Sequence, residues 1–398
     1  MRLLHTADWH LGRTTYGEPR APDHDAVLGE ILDLARTERP DLIVHSGDLF
    51  DAVRPAYPDL HRGIGVLQEL AGIAPTVVLC GNHDSPALFR LFDRLLGDRL
   101  PLRFLDPDQV GVLTFPVGDQ VARLAALPFV HANRTIATWE EPDAWHRRYT
   151  ERMGDLLRGL GDRLQEGYRA DRDVLLLAAH LYTGGSLFSG SERPVHVTEV
   201  YASDPRDVPQ VAYAAFGHIH RPQPVPGRAT GRYAGSPIAM DFGEVGERKE
   251  VVLVDAMPGR PARVRPVPLS GGRPLVRLEG TLEELRVAAA AVGEALALVT
   301  VHTETSAPDL SERVRDLLPK AVVLEVTEVS AARRLAVLEP GEDAGAPEPT
   351  VAETFREYLR EEGTRGAEAD RVLATFERLL AAVEQEEPAV FTEEAALS

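Results

Sequence analysis

Residues 3–12 read LLHTADWHLG. Leu3 and Leu4 open an apolar run with strand character, and the run leads directly into Asp8 and His10, two metal-capable side chains one residue apart. Residues two apart on an extended chain project to the same side, so the spacing predicts a strand that presents a two-ligand claw as it exits. The pattern returns in DLIVHSGD (41–48), TVVLCGNHD (76–84), DVLLLAAH (173–180) and VAYAAFGHIH (211–220). Each run is apolar or β-branched in its body and ends on a polar, metal-capable residue.

Between these runs lie amphipathic stretches. Asp23 to Arg36 places Val27, Leu28, Ile31, Leu32 and Ala35 on one helical face, and Pro142 to Arg169 reads as another helix. Strands exchanging with helices indicate an α/β architecture. In such a fold, ligands gather outside the carboxyl ends of the strands. Those ends supply Asp8 and His10; Asp48; Asn82, His83 and Asp84; His180; and His218 with His220. Singly each signal is weak, because "GD" or "GNH" also describes a turn in which the side chain bonds its own backbone. Together they exceed the needs of one ion and suit two, provided a carboxylate bridges. Asp48, alone after its strand, is the natural bridge. A mixture of imidazole, carboxylate and amide favours Mn²⁺, Fe²⁺ or Zn²⁺ over Mg²⁺ or Ca²⁺, and the lack of cysteine ligands weakens any case for structural zinc. Two such ions lower the pKa of a shared water and neutralise charge during in-line displacement. The chemistry implied is phosphoester hydrolysis.

Composition sets the frame. A chain of 398 residues, 44% hydrophobic, exceeds what one core organises and implies two or three domains. The single cysteine, Cys80, rules out an intramolecular disulfide, so a reducing cytoplasm is the expected compartment. The start of the chain breaks up before a signal-peptide core forms, and no apolar stretch approaches the ~20 residues of a membrane span. The net charge of -19 argues against a strong independent nucleic-acid binder. From Glu339 onward there are 16 Asp/Glu against 5 Arg, so the tail holds more than half of that imbalance.

After about residue 265 the texture changes. PLVRLEG, TLEELRVAAAAVG, LALVTVHT, LSERVRDLLP and AVVLEVTEV read strand, helix, strand, helix, strand, a small second α/β domain near 270–337. EPGEDAGAPEPT marks a linker at 338–350. The remaining 351–398 reads as a helical tail, with Val351, Phe355 and Leu359, then Val372, Phe376, Leu379 and Val383, at helical spacing. Those helices either pack on their own protein or dock on a partner.

Asp8-Trp9-His10, Gly47-Asp48, Gly81-Asn82-His83-Asp84, His180 and Gly217-His218-Ile219-His220 resemble, in order, the signature of the calcineurin-like metallophosphoesterases. LLHTADWHLG, HSGDLFD, GNHDS, AFGHIHRPQ and YAGSPIAMDFGE are similar to the SbcD nuclease subunits, bacterial relatives of the Mre-eleven repair nuclease. The resemblance covers essentially the whole chain, though outside the motifs it is one of layout more than of identities. It implies a two-sheet αββα sandwich over 1–265, a small α/β capping domain that helps orient DNA, and a tail that docks on the coiled coil of SbcC, an SMC-like ATPase. It further implies a homodimer, formed by early helices near Asp59 to Leu70 or Phe89 to Leu96, with no membrane association.

The implied activity is Mn²⁺-dependent cleavage of double-stranded DNA from its ends and of single strands and hairpins, in repair and recombination. Two ions occupy the site, with Mg²⁺, Fe²⁺ or Zn²⁺ as alternatives to Mn²⁺. By the resemblance, Asp8, His10 and His220 hold one ion, Asn82, His180 and His218 hold the other, and Asp48 bridges. His83 faces the scissile phosphate and Asp84 orients its ring. Archaeal relatives carry a second catalytic histidine where this chain has Asp51. Arg13, Arg20, Arg54, Arg193 and Arg221, near the motifs in sequence, are candidate DNA contacts, whereas His5, His45, His131 and His302 are read as structural. A phosphatase or small-molecule phosphodiesterase of the same superfamily is the alternative. Against the phosphatase, GDLFDAV lacks the early Arg of "GDxVDRG" and GNHD stands where such enzymes have "GNHE".

Overall fold

The computed structural model describes residues 1–131, 142–192, 202–305 and 307–330, together with 355, 356, 359, 369 and 371–376. Its centre is a pair of six-stranded sheets. The first runs, in spatial order, Arg263–Pro268, Glu250–Asp255, Arg2–Thr6, Leu42–His45, Thr76–Leu79 and Leu102–Leu105. The last four are parallel, and the first two are antiparallel additions at the edge. The second sheet runs Gln223–Pro224, Gly231–Tyr233, Tyr213–Gly217, Asp173–His180, Gln120–Leu127 and Gly111–Val117, and its four central strands are parallel.

The apolar runs are strands because both of their faces are covered, which is why they lack alternation. Leu42–His45, Thr76–Leu79 and Asp173–His180 are buried at every position. Between the sheets, Leu3, Val44, Val77 and Leu79 pack against Leu124, Leu176, Ala178 and Ala215. Outside the first sheet, the helix Ala21–Glu38 inserts Val27, Leu28 and Ile31, joined by Leu67 and Leu70 of Tyr57–Ala71 and Phe89 of Pro86–Leu96. Outside the second, Pro142–Gln165 inserts Tyr149, Met153, Leu157, Leu160 and Leu164. The result is the expected helix–sheet–sheet–helix sandwich.

The parallel registers decide where the site lies. Thr6 pairs with His45, His45 with Val78, and Gly217 with His180, so five carboxyl ends open on one edge of the sandwich. Beneath that edge the sheets are tied by polar groups. The Ser46 hydroxyl donates to the Ala215 carbonyl (3.1 Å) and lies 2.8 Å from His5 Nε2, whose other nitrogen is 3.0 Å from the Tyr213 hydroxyl.

Arg263–Pro268 belongs to the first sheet, which therefore runs past residue 265. A separate parallel sheet of Leu275–Gly280, Leu296–Thr303 and Val322–Ser330 follows, with the helices Leu282–Val292 and Leu310–Leu317 packed through Leu285, Val292 and Val314. The opposite side of that sheet meets Phe242 through Leu275 and Leu296. Met1–Ser330 forms one compact unit and Ala331–Ser398 a second. In the second unit Phe355 and Phe376 stack with centroids 4.0 Å apart. The linker at 338–350 and most of the tail lie outside the described residues.

Candidate metal centre

The strand that opens the chain ends at Thr6, before its two ligand-type residues. Asp8 and His10 have φ of 52° and 47°, Asp48 has 54° and His218 has 98°. These are left-handed backbones that bulky residues rarely adopt, at a cost on the order of 1–3 kcal/mol each. The extended two-ligand claw is therefore corrected: left-handed turns, not an extended run, bring the side chains together. The turns are locked to each other. Asp8 N–H donates to the Gly47 carbonyl (2.9 Å), His10 N–H to the Asp48 carbonyl (3.1 Å), and His218 N–H to the Asp8 carboxylate (2.9 Å). His83 N–H donates to Asp48 Oδ1 at 2.8 Å. Close approach also fixes two glycines. A Cβ at Gly47 would lie 2.2 Å from His180 Nδ1, and one at Gly81 would lie 2.1 Å from Asp48 Oδ1.

Three ligand groups result: His10, Asp51 and His83 form one at the side, and the other two share Asp48. Of those two, Asp8, His10, Asp48 and His220 form the first, and Asp48, His180 and His218 form the second, with the ligand atoms of each group within 4.8 Å of one another. Asn82 completes the second group, its Oδ1 lying 2.9 Å from His180 Nε2 and 2.8 Å from His218 Nδ1. Asp48 Oδ2 sits between these two groups, 3.5 Å from His10 Nε2 and 3.4 Å from His180 Nε2. All residues of the two groups, and Asn82, are buried.

Three rings have their outward nitrogens engaged, which settles what faces inward. His180 Nδ1 donates to the Ser46 carbonyl at 2.7 Å, because a carbonyl only accepts. His10 Nδ1 lies 3.2 Å from the Asp51 carboxylate, and His220 Nδ1 lies 2.6 Å from the Ser191 hydroxyl. When each Nδ1 holds the hydrogen, each neutral ring turns an Nε2 lone pair into the cage. His10 Nε2 and His220 Nε2 then face each other at 3.1 Å, an arrangement that suits a shared cation. Asp8 Oδ2 is buried and makes no hydrogen bond. The largest charged influences on Asp8 and Asp48 come from histidines and, for Asp8, from the neighbouring carboxylate, so the pair calls for positive charge from a proton or a metal. Burial pushes Asp8 upward against the pull of His180 and His220. Burial also opposes the charge on Asp48, yet His180, His83 and His10 hold that carboxyl well below its usual range. His180 itself is lowered by burial but carried up to about 9 by Asp48 and Asp8. The donor set, the facing lone pairs and the orphaned oxygen fit a divalent-metal site.

His83 stands beside the cage, its ring perpendicular to that of His10 at 4.5 Å between centroids. Its Nδ1 bonds the Asp51 carbonyl at 2.9 Å. The expected role of Asp84 is corrected accordingly. Asp84 accepts the backbone N–H groups of Leu49 (3.1 Å), Phe50 (2.9 Å) and Gly81 (2.9 Å), so it ties the Asp48 and Asn82 loops together and does not orient the His83 ring. Burial and the nearby Asp48 charge push the Asp84 carboxyl upward.

The arginines divide. Arg20 is corrected as a DNA contact. It is fully buried, paired with Asp23 at 2.6 Å and bonded to Thr15 and to the carbonyls of Ala239 and Arg273, so no face of it reaches solvent. Arg13 is half-buried, 3.5 Å from the Asp51 carboxylate, and its Nε is buried without a partner. Arg54 is exposed, and Arg221 is exposed near Glu247. Arg193 lies outside the described residues. Sequence reading missed Asp51, Ser191 and Glu244 as supports of the rings. Two of them left a trace, since Asp51 closes HSGDLFD and Glu244 closes YAGSPIAMDFGE.

Residues 1–222 match the family model described as calcineurin-like phosphoesterase, and residues 272–363 match one described as type 5 capsule protein repressor C-terminal domain. The chain is 33% identical over 289 residues to the SbcD subunit of nuclease SbcCD from Bacillus subtilis (strain 168), an alignment covering 70% of this chain and 72% of that protein. It is 32% identical over 302 residues to the SbcD subunit of nuclease SbcCD from Escherichia coli (strain K12), covering 72% of each. With the match to the phosphoesterase model spanning the cage and identities above 30% spanning most of each relative, the chain belongs to the calcineurin-like phosphoesterases and, among them, to the family of SbcD subunits of nuclease SbcCD.

Proposed function

We propose that the chain is the nuclease subunit of a DNA-processing complex, using two Mn²⁺ ions to cut double-stranded DNA from its ends and to open single strands and hairpins. The observation that carries this reading is the pair of buried ligand groups sharing Asp48, with His83 at their side. Asp8, His10, Asp48 and His220 would hold one ion, and Asp48, Asn82, His180 and His218 the other. Bound ions would supply Lewis acidity to the phosphoryl oxygens and lower the pKa of an attacking water.

The chain's own residues do the rest. The left-handed turns hold the ligands before any ion arrives, so less ordering is needed on binding. Because the Asp51 carbonyl can only accept, His83 keeps its hydrogen on Nδ1 and exchanges protons at Nε2. That nitrogen is the group to hydrogen-bond a phosphoryl oxygen or to protonate the departing 3′-oxygen. Among the described candidate arginines, Arg13, close to Asp51, is the best placed to meet a phosphate. Asp84 acts as a clamp between loops.

The charge of -19 is reconciled with a DNA substrate by a partner that brings positive surface, an SbcC-like SMC ATPase for which the tail at 351–398 is the docking segment. The small sheet of residues 275–330 caps the site and orients DNA. Tyr57, Leu91 and Leu95, exposed on two helices of the sandwich, supply apolar surface for a homodimer. Purified chain should degrade linear duplex DNA with Mn²⁺, alone or with the ATPase. Hydrolysis of phosphoproteins or cyclic nucleotides without DNA cleavage would replace this reading with a phosphatase or small-molecule phosphodiesterase.

A further inference from the structure

The stretch YAGSPIAMDFGE (233–244) contributes no ligand to the cage, yet it ends on a carboxylate buried beneath one of them. We infer that Ser191 and Glu244 are positioning residues that fix His220 in its ligand tautomer, and that they govern one half of the cage and not the other. This rests on the two-ion reading above.

The contacts run in a line. His220 Nδ1 lies 2.6 Å from the Ser191 hydroxyl, which donates to Glu244 Oε1. Glu244 is fully buried, and its other oxygen lies 2.5 Å from Lys249 Nζ and 3.2 Å from the Met240 amide. Lys249, also buried, donates to the His220 carbonyl at 3.2 Å and to Glu247 at 3.1 Å. Glu192 ties the two loops together by accepting N–H from Ser189, Gly190 and His220.

The direction of each bond follows from what the groups can give. A carboxylate only accepts, so Ser191 spends its single hydrogen on Glu244 and must accept from His220. The hydrogen of the neutral His220 ring is thereby placed on Nδ1, and the Nε2 lone pair is left aimed at the cage. The anionic end of the relay also raises the basicity of the ring, as outer partners of metal-bound histidines do. Lys249 offsets the cost of burying that charge. The other half is held differently. His180 donates to the Ser46 carbonyl at 2.7 Å, a backbone acceptor that a side-chain substitution does not remove.

The test is Mn²⁺ titration calorimetry with metal counting on the full chain, comparing the parent with Ser191→Ala, Glu244→Gln and Ser191→Thr. The parent should bind two ions. Ser191→Ala and Glu244→Gln should each weaken one ion by ten-fold or more and leave the other within two-fold, and Ser191→Thr, which keeps the hydroxyl, should restore both. Two ions bound as in the parent by Ser191→Ala, or both weakened alike, would overturn the positioning role alone. A parent that binds only one ion would overturn the two-ion reading itself. If Glu244→Gln fails to fold, Ser191→Ala decides, because it leaves the Glu244–Lys249 pair intact.

Discussion

The cage and the small parallel sheet at its side are built in opposite ways. In the sheet of residues 275–330 the pairing is interrupted once, by a register shift between Ala297 and Leu298, no described residue other than glycine has positive φ, and the helix Leu282–Val292 starts from a complete capping box between Thr281 and Glu284. In the cage, four ligand-type residues hold left-handed backbones, and carboxylates are buried side by side. One region follows local backbone preference in its non-glycine residues, and the other sets it aside wherever a side chain must reach a common point. Strain of this kind persists only where surrounding structure enforces it. Here the enforcement comes from interlocked loops and from polar ties between the two sheets.

That contrast can be broken at its strongest point. Asp48→Asn removes the negative charge shared by both ligand groups of the cage and replaces one carboxylate oxygen with an amide nitrogen that only donates, and DNA cleavage should fall by about 10³-fold or more, with both Mn²⁺ ions weakened in calorimetry. Retention of cleavage would show that the buried carboxylate is only structural. His83→Gln should lower cleavage by about 10²–10⁴-fold while leaving Mn²⁺ binding intact. Loss of metal in that variant would move His83 from proton exchange into the ligand set.

Acid should separate folding from chemistry. His5, His24 and His45, buried beneath the site, are lowered by burial to about 3, 4 and 3 from an ordinary 6.5. Below pH 6.5 the unfolded chain takes up protons there that the folded chain refuses, so this contribution to stability is intact above 6.5 and is lost as pH falls toward about 3. The urea midpoint of metal-free protein should decline across that window, and replacing His5 by Gln should shallow the decline. An unchanged slope would mean that His5 is charged when folded. The smallest effect belongs to the small-sheet region. Thr281→Ala removes the capping box and should cost about 1 kcal/mol in urea unfolding with cleavage unaltered. A change in cleavage would tie the cap to the chemistry more closely than packing suggests.

Much of the fold was readable because burial dictates it. Doubly covered parallel strands must be continuously apolar, so DLIVH, TVVL and DVLLLAAH announced themselves. Ligand-type residues at their ends announced the edge on which a site would form. Periodicity carries no information about the sign of φ, so the left-handed turns at Asp8, His10, Asp48 and His218 were not readable. Proximity in sequence misled for Arg20, which follows the first motif yet turns into the interior to meet Asp23 and the chain at Arg273. Asp84 misled for a related reason. Next to His83 along the chain, it spends its oxygens on backbone amides of its own and a neighbouring loop. Ser191 and Glu244 lie 29 and 24 positions from the histidine they support, on opposite sides of it in the chain, and only the folded chain brings them together.

The central claim is that Asp48 is shared by two cations. Crystals grown with saturating Mn²⁺ and measured at the manganese absorption edge test it directly. The account predicts two anomalous peaks about 3.5–4 Å apart with the Asp48 carboxylate between them. A single fully occupied peak, or two peaks of which only one touches Asp48, would contradict it.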